Sequence, residues 1–337
     1  DGIRDSETCL EFRRVLFRSD DLRARTVEDR LAIYRKWAEK KEGGMAWYSR
    51  WSDRLRLLRD TNGGGKANAW TNFSGDLNEP LDGTLAGVLQ VGDAVWVTNI
   101  PHIWRFVDRD GDGVAEVREK LFTGFGVRTS LRGHDMHGLV QGPDGRIYWS
   151  IGDRGYSVRT KEGALLEDPG SGAVFRCEPD GTGLEVFHRG LRNPQELAFN
   201  DLGDLFTVDN NSDGGDKARV CYLPDGGETG WEMPYQTLEG ANKRGPWEQE
   251  HLWHTFDAAD AVQAAWITPP VAHLTDGPSG LVAYPGTGFP SEFDGTFLIC
   301  DFLGGDAYSQ VWRFGAKPKG AGYEDRKSTR LNSSHVS

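Results

Sequence analysis

Cysteine is scarce: four in 337 residues, at Cys9, Cys177, Cys221 and Cys300. Their wide spacing excludes a paired-cysteine zinc motif, a CxxCH haem attachment and an evident disulfide framework. Basic charge is also in deficit, with 39 Lys and Arg against 51 Asp and Glu and a formal net charge of −12. Such an acidic surface repels phosphate backbones, which argues against a nucleic-acid partner. No uninterrupted apolar run approaches the length needed to span a bilayer, so the sequence contains no membrane segment. Also missing are a Walker loop, a GxSxG nucleophile elbow and a GxGxxG turn in a dinucleotide-binding setting, which removes three large enzyme classes from consideration.

What is abundant is glycine, 44 residues, and tryptophan, 12. Long stretches of helical period are few, so the composition favours many short strands joined by tight turns. One helix is expected, over "TVEDRLAIYRKWAEKK" (Thr26 to Lys41), with Thr26 as N-cap and Gly43-Gly44 as the stop. The two ends look foreign. "EFRRVLFRS" (Glu11 to Ser19) and "DRKSTRLN" (Asp325 to Asn332) can be encoded by one DNA string read on opposite strands, as a translated sequencing adapter would be. Residues 1–19 and 325–337 are therefore expected to be artefact and 20–324 to be the authentic domain, truncated on its C-terminal side.

The interior repeats. "GDAVWVTN" at Gly92, "GRIYWSIGD" at Gly145, "GDLFTVDN" at Gly203 and "GTFLICD" at Gly295 each give a glycine turn, an apolar strand and a polar exit. The last interval is long enough for a further degenerate copy or for an insertion. Out of phase with these run three related hairpins, from Arg54, Ile103 and Gly172, each built around an Asp/Gly turn. Two hairpins per period of about 50 residues make four strands per repeat, the blade of a β-propeller. A β-sandwich is the alternative, but it has no need of the same hairpin order three times.

Three polar clusters stand out. "DRDGDGVAEVRE" satisfies the full calcium-loop pattern through Asp108, Asp110, Asp112, Gly113 and Glu119, although its flanks read as strands rather than helices. The related loop Asp60 to Gly65 has lost a carboxylate, so the turn has a use without metal; a solvated acidic turn and a structural calcium site both remain open. In "RGHDMHGLVQGPDGRIYWSIGDRG", His134 lies just before one strand and Asp153 just after the next. Antiparallel pairing brings those ends together, and a carboxylate beside an imidazole makes a general base; a hydrogen-bonded cap would look the same. In "GLRNPQELAFNDLGDLFTVDNNSDGGDKAR", Arg192 and Asn193 precede a strand, while Asp209, Asn210, Asn211, Ser212, Asp213 and Asp216 follow the next. An arginine fork suits a carboxylate and the oxygen-rich loop suits a cation. His102, His188, His251, His254 and His273 show no metal spacing and read as packing or surface residues.

The strip from His134, followed by "GLRNPQELAF" and "DNNSDGGDKA", resembles the six-bladed propellers of the soluble PQQ-dependent glucose and sorbosone dehydrogenases. It is closer still to the membrane-bound dehydrogenase-type proteins of planctomycete-type bacteria, in which the propeller is followed by helical repeats and a cytochrome c-like module. The resemblance implies PQQ and Ca²⁺ as cofactors, a sugar or other alcohol as substrate, a cytochrome c as electron acceptor, and a periplasmic or extracellular location. It also implies roles: His134 as the base that takes the hydroxyl proton, Asp153 as its partner, Arg192 and Asn193 on the cofactor, Asn211 and Ser212 on calcium through backbone carbonyls. The sequence departs from those dehydrogenases at Gly133, where they have aspartate, and at His137, where they have glycine. Lys317 and Lys319 match no cofactor-gripping motif. A non-catalytic, calcium-stabilised propeller that binds carbohydrate or a partner protein is the competing expectation.

Overall fold

Short antiparallel strands dominate the structure, a computed structural model that describes residues 15–129, 133–213, 216–234, 268–305, 307–326 and 328–331. Two compact units divide the chain, one of Asp1–Met136 with Arg154–Pro169, the other of His137–Asp153 with Gly170–Ser337. Among the described residues no helix is long and apolar enough to cross a membrane.

In the first unit the expected helix spans Val27–Trp37, with a short helix, Val15–Arg23, before it. Thr26 Oγ1 accepts the Asp29 N–H at 3.1 Å while the Asp29 carboxylate accepts the Thr26 N–H at 3.0 Å, a capping box that satisfies donors the first turn would otherwise leave open. The hairpin from Arg54 is the antiparallel pair Asp53–Arg59 and Ala69–Leu77. The next four strands, Leu85–Val91, Ala94–Asn99, His102–Val107 and Val117–Thr123, form one sheet in chain order. Phe73 and Leu77 of the hairpin pack on Val97, Trp104 and Phe106 of that sheet.

The second unit repeats the meander. Met136–Gln141, Ile147–Ile151, Gly172–Cys177 and Glu185–Leu191 neighbour one another in that order. So do Pro194–Phe199, Leu205–Asp209, Arg219–Tyr222 and Ala272–His273, and then Pro278–Ala283, Thr296–Asp301 and Gln310–Lys319. Gly322–Asp325 and Thr329–Leu331 both pair with the long strand Gln310–Lys319. All four glycine-led strands stand second in their sheets. The long interval before Gly295 includes an insertion inside one sheet, between Arg219–Tyr222 and Ala272–His273; residues 235–267 of it lie outside the described residues. Apolar layers join successive sheets: Tyr148, Val174, Phe187 and Leu191 meet Leu197, Leu205 and Cys221, while Phe206, Val208 and Val220 meet Leu281, Phe297, Ile299 and Phe314. Where backbones crowd, only glycine fits: a Cβ on Gly172 would lie 2.6 Å from the carbonyl oxygens of both Ile151 and Leu191.

A carboxylate closes the second strand in two of these sheets. Asp209 pairs in register with Pro194 and accepts the N–H groups of Arg192 and Asn193, the two residues before that proline. Asp301 pairs with Pro278 and accepts the N–H groups of Asp276 and Gly277 in the same way, at 2.9 and 3.0 Å. Both carboxylates are buried. Asp209 also holds the guanidinium of Arg219, itself 1% exposed, whereas Asp301 takes neutral donors, Gln310 Nε2 and Trp312 Nε1.

Asp209→Asn is thus expected to cost about 3–5 kcal/mol, because it leaves a buried guanidinium uncompensated. Asp301→Asn is expected to cost about 1–3 kcal/mol, since only neutral hydrogen bonds suffer; urea midpoints of the two variants give the order. Burial pushes the Glu196 carboxyl up to about 7. Raised above its unfolded value, this group favours the fold below pH 4.5, and that contribution is lost as pH rises through about 7. Glu196→Gln should flatten the decline in urea midpoint between about pH 5 and 8; an unchanged slope would place the titration elsewhere.

Candidate functional site

His134 precedes the strand Met136–Gln141 and is 5% exposed; it belongs to the first unit. Its neighbour Asp135, also buried, forms an ion pair with the Arg154 guanidinium and accepts the Thr84 N–H at 3.2 Å. A carboxylate thus stands one residue after the histidine. Sequence reasoning misses this pair, whose one signal is the Arg154 that directly follows Asp153.

Asp153 belongs to the second unit, just beyond Ile147–Ile151. Its N–H donates to the Arg192 carbonyl at 2.8 Å and its Oδ2 accepts the Trp231 indole N–H, also at 2.8 Å. Arg192, 2% exposed, lies over the same indole at 5.6 Å and donates to Asp213 at 3.0 Å. Asn193 is 1% exposed, and its Oδ1 is a buried oxygen with no hydrogen-bond partner among the described residues. Asp153, Arg192 and Asn193 thus lie in one buried polar cluster. Trp231 and Asp213 complete it. Sequence reasoning does not find Trp231, because nothing in its surroundings marks it and it lies far along the chain from Asp153.

The loop after Asp209 is folded on itself. Asp216 accepts the N–H and the hydroxyl of Ser212, and Asn211 Nδ2 donates to the Asp216 carbonyl at 3.2 Å. With Asp209 and Asp216 engaged in this way, a cation at this loop would rest on backbone carbonyls such as those of Asn211 and Ser212. Lys317 and Lys319 both face Glu324 across their hairpin, at 3.4 and 2.8 Å, and are surface ion pairs rather than cofactor ligands.

At the acidic hairpin, one ligand oxygen each from Asp108, Asp110, Asp112 and Glu116 lies within 4.8 Å of the others. The fourth carboxylate is Glu116 and not Glu119, which corrects the expectation. In a helix-loop-helix site the exiting helix turns the last glutamate back towards the ion. Here the chain leaves as the strand Val117–Thr123, in which Glu119 stands opposite Arg105 and pairs with it at 3.6 Å. Asp108 accepts the N–H groups of Gly111 and Gly113, at 2.7 and 2.8 Å. Asp60 does the same for Gly64 and Gly65 in the related loop, and the Gly65 N–H holds its carboxyl below the usual range. Both turns are thus self-supporting. Burial keeps His188 neutral, its pKa lowered to about 4, with Nδ1 on the Pro224 carbonyl. His251 and His254 lie outside the described residues.

Among solved structures, the chain is similar to the PQQ-bound aldose sugar dehydrogenase of Streptomyces coelicolor, with 18% identity, a TM-score of 0.50, and coverage of 79% of this chain and 72% of that one. It is similar to a glucose dehydrogenase at 17% identity and a TM-score of 0.54, covering 83% and 80%. An oxidoreductase (glucose dehydrogenase) of Thermus thermophilus matches at 17% identity and a TM-score of 0.51, covering 83% and 78%. At such identities the fold is what is shared, a β-propeller with four-stranded sheets as its blades. No curated protein matches the sequence. The model of a domain of unknown function, DUF7133, matches residues 33–334, and the chain therefore belongs to the DUF7133 family.

Proposed function

We propose that this propeller is a dehydrogenase that oxidises a sugar or other alcohol with a PQQ-type quinone and calcium, and passes electrons to a cytochrome c in the periplasm or outside the cell. The observation that supports it most is the buried cluster of Asp153, Trp231, Arg192 and Asn193. Concentrated buried polar groups of this kind favour a ligand site over a packing role.

The residues present fit a planar anion. Arg192 supplies a cation and the Trp231 indole a flat neighbour, while Asn193 Oδ1 is an acceptor for an N–H or O–H of the ligand, its capacity taken up by no other described residue. Asp213, the counterion of Arg192, is 38% exposed, so a ligand carboxylate could take its place with one anion exchanged for another. When bound, the quinone would supply a two-electron acceptor whose carbonyl calcium polarises. His134 takes the substrate hydroxyl proton on an imidazole nitrogen, which favours loss of hydride from the carbinol carbon. Asp153 is the carboxylate of the buried cluster, with Trp231 Nε1 fixing its orientation. Asn211 and Ser212 offer carbonyls to the calcium ion.

One observation favours the competing reading, a non-catalytic propeller for carbohydrate or a partner protein, with calcium structural at Asp108, Asp110, Asp112 and Glu116. The buried guanidiniums of the second unit, Arg192 and Arg219, already have carboxylate partners, so a multiply charged cofactor meets little net positive charge.

Reduction of a redox dye by the PQQ- and calcium-loaded chain, across a panel of aldoses and alcohols, decides between the two. Turnover that needs both additions is expected. His134→Ala should lower kcat by roughly two to four orders of magnitude, and the exposed His273→Ala should leave it unchanged. PQQ binding no tighter than to an unrelated acidic protein would establish the non-catalytic reading. Trp231→Phe should destabilise the fold by about 1–3 kcal/mol, since a buried carboxylate oxygen loses its donor. It should also lower kcat more than it raises KM; equal turnover in the two proteins would remove Asp153 from the reaction.

A further inference from the structure

By spacing alone His102 reads as a packing residue, yet the fold surrounds it with carboxylates. One ligand atom each from Glu79, Asp82 and His102 lies within 4.8 Å of the other two, all in the first unit. Glu79 and Asp82 sit in the connection between the hairpin strand Ala69–Leu77 and the next sheet, and His102 opens that sheet's third strand. The connection is held against the sheet, with Gly83 N–H on the Ile100 carbonyl and Asn99 Nδ2 on the Gly83 carbonyl.

Two features set this cluster apart from the acidic turns. First, Asp82 Oδ1 is buried and has no hydrogen-bond partner among the described residues, while Oδ2 accepts the Glu79 N–H at 2.8 Å. A buried carboxylate oxygen without a donor is costly unless something else compensates it. Second, the imidazole is only 5% exposed and is oriented from behind, Nδ1 lying 2.9 Å from Thr123 Oγ1. With the Nδ1 proton on that hydroxyl oxygen, the lone pair falls on Nε2, the arrangement in which an outer hydrogen bond prepares a histidine for a metal.

We infer that Glu79, Asp82 and His102 form a site for one divalent ion of the zinc class. One imidazole and two carboxylates are a donor set that such an ion takes with a fourth position open to water. The ion would clamp the connection to the sheet and supply the charge that Asp82 Oδ1 lacks. It has one evident competitor: Lys120 Nζ donates to both Glu79 oxygens, at 3.2 and 3.0 Å. Arg30, held on the Leu81 carbonyl, adds a second nearby cation and sets a limit on affinity. The inference is independent of the dehydrogenase reading.

Titration of the chelator-stripped full chain with zinc alone, followed calorimetrically and by thermal unfolding, is the test. One equivalent is expected to bind and to raise Tm. Glu79→Gln changes an exposed side chain and should preserve the fold by circular dichroism while weakening zinc binding at least about tenfold; His102→Gln should do the same. Lys120→Met, which removes the competitor, should tighten it. Asp110→Asn should have no effect. Loss of binding in Asp110→Asn but not in Glu79→Gln would move the ion to the acidic hairpin and overturn the assignment. Weaker binding in Lys120→Met, or no stoichiometric zinc in the folded chain, would overturn it equally.

Discussion

A buried carboxylate at the end of a second strand is the constraint on which the proposed dehydrogenase site depends. Asp209 receives two consecutive backbone N–H groups from the residues that enter the sheet's first strand, and a guanidinium from the start of its third. Three chain segments are thereby fixed at one point. Those two N–H groups belong to Arg192 and Asn193, so the residues offered to a ligand are positioned through their own backbone and not only through side-chain packing. Asp301 repeats the device on Asp276 and Gly277 without a guanidinium, which separates its scaffolding part from the electrostatic addition at Asp209. The added charge makes the corner at Asp209 stiffer and costlier to disturb.

The fold was legible because its signal is periodic. Four glycine-led strands and three Asp/Gly hairpins recur in fixed order, and the chain satisfies them with meanders that seldom depart from sequence order. The insertion was ambiguous for a physical reason: chain length between two strands carries no mark of whether it forms a sheet of its own. At the acidic hairpin, Glu119 fits a spacing rule made for helical exits, and only the change of exit from helix to strand shows that Glu116 is the residue still facing the loop.

The candidate site was legible in part. Arg192, Asn193 and Asp153 were marked by polar residues at strand ends, where local spacing is informative. Trp231, the Asp135–Arg154 pair and the Glu79–Asp82–His102 cluster were not, since each depends on contacts between segments remote in sequence. Isolated histidines are a poor guide from sequence for the same reason: His188 and His102 are both buried, yet one meets a carbonyl and the other two carboxylates.

The insertion between Arg219–Tyr222 and Ala272–His273 leaves from the end of its sheet opposite to the one that Asp209 pins. The described start of the insertion nonetheless returns to the candidate site, because Trp231 lies within it and donates to Asp153. Over evolutionary time, remodelling of this segment would alter the buried chemistry and the surface together, through that single indole.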